Sequence, residues 1–80
     1  MLNKLIIALD EFSKIKDFAQ RVVNYEADIV ITKNGQFYNA KSILSVMVLL
    51  DMAKPVEIQI ISDDMAEVRR FMTDMSDFKA

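Results

Sequence analysis

The 80-residue chain contains neither histidine nor cysteine. The commonest general base, the commonest metal ligand, any phosphohistidine and any thiolate are therefore excluded. Zinc chemistry is not expected, because carboxylates alone make poor zinc sites. Disulfides are impossible. Carboxylates, hydroxyls and cations remain. Asp10 and Glu11 lie side by side ahead of an apolar-periodic stretch. A carboxylate can accept a phosphoryl group as an acyl phosphate, but no metal-binding cluster accompanies this pair. A solvated turn before a helix is the default expectation for them. Ser42 follows Lys41 at the start of an apolar run, where a hydroxyl that caps a helix contributes about 1 kcal/mol. Arg69 and Arg70 offer contacts to an anion, although a solvated helix face accounts for them. Met65, Met72 and Met75 fall on one helical stripe, an arrangement that suits core packing better than soft-metal binding. No nucleophile–base pair and no glycine-rich phosphate loop occurs, so an independent enzyme is not expected and no cofactor is implied.

The elements that must position these residues are legible in outline. The chain is 52% apolar with a net charge of −2. That balance excludes disorder and leaves no field to attract nucleic acid. The length suits a single domain, residues 1–80. The longest apolar runs are too short to span a bilayer. The N-terminal stretch shows no signal-peptide pattern, so a cytoplasmic location is expected.

Leu5-Ile6-Ile7-Ala8-Leu9 suits a central strand. Ile15, Phe18, Ala19, Val22 and Val23 form one helical stripe, with Ser13 as its expected N-cap and Lys14, Lys16, Asp17 and Arg21 on the opposite face. Residues 28–32 and 37–40 predict two strands joined through Asn34-Gly35, the dipeptide best suited to a tight hairpin. Lys41-Ser42 opens a helix over 43–50, which has ended by Pro55. Val56, Ile58 and Ile60 alternate with Glu57 and Gln59, as in a half-buried strand. Asp63 and Asp64 favour a helix N-terminus, and Met65, Val68, Met72 and Met75 predict the stripe of that last helix. Asp77 to Ala80 are expected to fray. The order β-α-β-β-α-β-α predicts an α+β fold, a four-stranded, mostly antiparallel sheet covered on one face by three helices. In the helix over 43–50, the stripe through Ile43, Val46 and Leu50 suffices for a core. Leu44, Met47 and Val48 cannot all point inward as well, which predicts an exposed apolar patch suited to binding.

This element order resembles that of the HPr proteins of the bacterial sugar phosphotransferase system, which form an open-faced sandwich. The closest stretch runs from Asn34-Gly35-Gln36 through Ala40-Lys41-Ser42-Ile43-Leu44 to Val46-Met47, where the family carries a glycine turn, a strand and a lysine-serine-isoleucine segment. Asn24-Tyr25-Glu26-Ala27-Asp28-Ile29 resembles the family's approach to its second strand. Ala53-Lys54 with Glu57-Ile58-Gln59-Ile60 resembles its last strand. The departures concern chemistry. Where the family has its phosphorylated histidine followed by alanine, arginine and proline, this chain has Glu11, Phe12, Ser13 and Lys14. The family's glycine in the helix over 43–50 is Ser45, and one residue is inserted near Leu50-Asp51-Met52.

The resemblance implies a related protein without phosphohistidine carrier activity, most simply a regulatory or protein-binding module. It makes Ser42 a phosphorylation candidate, because the matching serine is a kinase target in many HPr proteins, and a helix N-terminus suits a phosphate. It implies docking through Lys41, Ile43, Leu44, Met47 and Val48. The partner would be a phosphotransferase-system enzyme, a serine kinase or a transcriptional regulator, with no role for nucleic acid or membrane. A phosphocarrier by fold only, and a structural or dimeric protein that has left the pathway, are the alternatives. Monomer and homodimer both remain open.

Overall fold

The computed structural model describes residues 3–33, 35–42 and 55–80. Strand β1 spans Lys4–Ile7, helix α1 Phe12–Val22, strand β2 Asp28–Lys33 and strand β3 Gln36–Asn39. Strand β4 spans Val56–Ile61, helix α2 Met65–Met75, and a 3₁₀ turn Ser76–Phe78 follows. The helix expected over 43–50 lies outside the described residues, which contain two α-helices rather than three.

The four strands are ordered β1-β4-β2-β3, and every pairing is antiparallel. The alternation read in β4 places Val56, Ile58 and Ile60 in the core. Leu5 and Ile31 flank Ile58 on its two sides, and Ile29 lies opposite Ile60. Lys33 pairs with Gln36, which leaves the two-residue hairpin loop that Asn34-Gly35 predicts. Gly35 has φ +76°, a conformation open to glycine at little steric cost. The helices cover one face of the sheet. The other face is open and carries Ile6, Phe37 and Ile61 in exposed positions.

Several expectations are corrected. The N-terminal apolar run is an edge strand, and the two central positions belong to β4 and β2. Apolar periodicity could not separate edge from centre because the end of the chain covers the outer side of β1. Ala8 N–H donates to the Phe78 carbonyl at 2.8 Å, and Ala80 N–H donates to the Ile6 carbonyl at 3.2 Å. The C-terminal residues are therefore packed rather than frayed. Phe78 is buried and meets Phe18 edge-to-face at 6.0 Å.

Ser13 does not cap α1. The N-cap is Glu11, whose side chain makes no capping bond, while Ser13 Oγ donates to Glu11 Oε2 at 3.4 Å. Val23 lies past the helix end and is exposed. In α2 the buried residues are Val68, Phe71 and Met75. Phe71 draws the stripe toward itself, so Met72 packs at its margin and Met65 is exposed. Asp63 and Asp64 precede this helix as expected, and Asp64 is its cap, accepting from Ala66 N–H at 3.0 Å and Glu67 N–H at 3.4 Å. No described helix is long and apolar enough to cross a membrane.

Candidate functional site

Among the described residues, three groups of side chains bear on the chemistry expected here. The first is the start of α1. Asp10 and Glu11 are exposed there, and the Glu11 carbonyl accepts from Lys14 N–H at 3.0 Å and Ile15 N–H at 3.2 Å. Lys14 Nζ lies 2.8 Å from Asp10 Oδ1. That hydrogen bond holds the Asp10 carboxyl below its ordinary value and the Lys14 ammonium above its own. Lys14 is therefore engaged by Asp10. The two carboxylates favour the positive end of the helix dipole.

The second group is the corner after β3. Asn39 shapes it: its side-chain oxygen accepts from Lys41 N–H at 2.9 Å and its carbonyl accepts from Ser42 N–H at 3.1 Å. Such an Asx-type turn ends a strand without leaving its last amides unpaired. Ser42 is exposed. Lys41 is half-buried, and its Nζ donates to the Tyr25 carbonyl. Its ammonium thus ties the corner to the loop after α1. Ile43, Leu44, Met47 and Val48 lie outside the described residues.

The third group was not foreseen as a unit. Arg21 Nε and Nη2 form a two-pronged contact with the Asp17 carboxylate, both at 3.0 Å. Its Nη1 reaches the Asp74 carbonyl at 2.8 Å, Asp74 Oδ1 at 3.1 Å and Asp77 Oδ2 at 2.8 Å. The guanidinium also lies 4.8 Å from the Phe78 ring centroid. Asp77 first and Asp17 next hold it charged, well above the ordinary guanidinium value. Beside it the Tyr25 hydroxyl donates to Asp74 Oδ2 at 2.9 Å. Burial first, then this contact, raises the phenol's pKa. Asp17 and Arg21, four residues apart, were readable as a helix-face pair. Nothing in the sequence joined them to Asp74 or Tyr25.

No protein-family model matches the chain, and no match is found among curated proteins. Its structure is similar to those of two solved proteins. One is HPr-C-His from Thermoanaerobacter tengcongensis, with a TM-score of 0.69 and 22% identity over 91% of this chain and 89% of that one. The other is the phosphocarrier protein HPr from Bacillus anthracis str. Ames, with a TM-score of 0.70 and 24% identity over 95% of this chain and 93% of that one. Strand order, pairing and end-to-end coverage agree on one conclusion: the chain has the HPr fold, an α+β open-faced sandwich.

Proposed function

We propose that this protein is a regulatory, protein-binding module of the HPr type, related to the sugar phosphotransferase system and lacking phosphohistidine carrier activity. The observation that carries the reading is an HPr fold in a chain with no histidine. At the start of α1 an exposed glutamate, Glu11, takes the place the resemblance gives to the phosphohistidine, and the cation beside it is paired with Asp10. Ser42 is the candidate for modification. It is exposed at a corner held by Asn39, so a kinase can reach it without unfolding the sheet. A phosphate there adds about −1.5 to −2 charges beside the stretch proposed to dock a partner, namely Lys41, Ile43, Leu44, Met47 and Val48. A cytoplasmic location and protein partners belong to the same reading.

Two incubations test it, both read by intact mass. With phosphoenolpyruvate and the host's enzyme I, the expected result is no change; an added phosphate overturns the reading. With ATP and the host's HPr kinase, one phosphate on Ser42 is expected. An unmodified chain, with the kinase active on an ordinary HPr, removes the proposed switch.

A further inference from the structure

Arg69 and Arg70 are both exposed, and neither has an ion-pair partner among the described residues. They border a depression between the end of α1 and the outer side of α2, whose other lining residues are Asn24, Tyr25, Thr73 and Asp74. The one carboxylate there is already engaged, since Asp74 accepts from both Arg21 and the Tyr25 hydroxyl. Arg70 is held in position, its guanidinium carbon 5.0 Å from the Tyr25 ring centroid. That ring is itself fixed edge-to-face against Phe71 at 5.4 Å. Lys41 is not among the lining residues; its Nζ donates to the Tyr25 carbonyl and holds the backbone there. A chain of net charge −2 thus gathers cations around one tyrosine. The guanidinium edges, the Asn24 amide and the Thr73 hydroxyl are hydrogen-bond donors suited to a compact oxyanion.

We propose that this depression binds a small phosphate-bearing anion. A small molecule fits better than an acidic protein segment. Asp17, Asp74 and Asp77 gather on Arg21 next to the depression, and an extended acidic chain would run against them. A compact phosphate can seat on the two arginines and meet only Asp74, the one carboxylate among the lining residues, which is already bonded to Arg21 and Tyr25. Ser42 is not among the lining residues, and the proposal does not depend on the proposed regulatory role.

The test is a titration of the ¹⁵N-labelled protein with inorganic phosphate, against chloride at equal ionic strength, followed by amide resonances. Saturable shifts at Asn24, Arg70 and Thr73 are expected, with affinity at least about tenfold weaker in Arg69→Gln and in Arg70→Gln. Both substitutions are at exposed positions, so the fold is retained, and each checks the other. Shifts that never saturate, or that persist unchanged in both variants, overturn the site. A phosphoserine peptide that binds these residues more tightly than inorganic phosphate overturns the small-molecule assignment.

Discussion

Arg21 lies on the flank of α1, where the apolar stripe gives way to solvent, and its guanidinium gathers the carboxylates of Asp17, Asp74 and Asp77. Surface ion pairs ordinarily contribute little, because water competes for both partners. This one differs in being only one-quarter exposed, bidentate to Asp17 and stacked on Phe78. Methionine keeps much of the arginine's apolar stem while removing every donor. Arg21→Met is therefore expected to lower stability by about 2 kcal/mol, partly because the carbonyl and carboxylate of half-buried Asp74 each lose a charged donor. For a domain of this size that is a fall in Tm of roughly 10 °C. Urea unfolding of the two proteins measures it, and a difference below about 0.5 kcal/mol would class the cluster with ordinary surface pairs.

The two described helices begin in different ways. Helix α2 has a complete local start: Asp64 caps two amides, and Ser62 Oγ accepts from Asp64 N–H at 3.0 Å and donates to Glu67 Oε1 at 2.9 Å. Helix α1 starts without a side-chain cap and relies on burying Ile15, Phe18, Ala19 and Val22 against the sheet. The β2–β3 hairpin is also locally encoded, through Gly35. A Cβ added there meets nothing within 4 Å, so Gly35→Ala isolates the cost of a left-handed backbone from any clash. The expected loss is about 1 kcal/mol, seen as a lower urea midpoint with an unchanged slope. An unchanged midpoint would mean that the turn relaxes to another conformation at no cost.

Over the whole molecule, one edge of the sheet is closed by the chain itself. The outer side of β1 is covered by the chain's own end, through the Ile7–Lys79 bridge and the amides of Ala8 and Ala80. Uncovered strand edges are templates for association. The cover is itself anchored by Phe78 in the core and by Asp77 on Arg21. Removing residues 77–80 thus takes away a buried aromatic, worth about 3–5 kcal/mol, and uncovers β1. The truncated chain is expected to be less stable and to self-associate at concentrations where the full chain does not. Light scattering beside urea unfolding separates the effects: a truncated monomer of full stability would show that the segment only rests on the surface.

Residue content alone excluded phosphohistidine and thiolate chemistry, because those atoms are absent. Local pattern located the described elements, since periodicity, the Asn34-Gly35 turn and the Asp64 cap act over a few residues. The strand-to-strand alternation of β4 also identified its buried face. Strand order was beyond that reach: a short apolar run such as 5–9 has the same pattern at a sheet's centre or at an edge covered by distant chain. The cluster on Arg21 was beyond it too, as were the residues that join Arg69 and Arg70 in one depression. Arg21 and Asp74 are 53 positions apart, and Tyr25 and Asp74 are 49 apart. A contact at that separation leaves no periodic trace, so only the docking of α1 against α2 turned Arg21 from a solvated side chain into a clasp and gathered Arg69 and Arg70 around Tyr25.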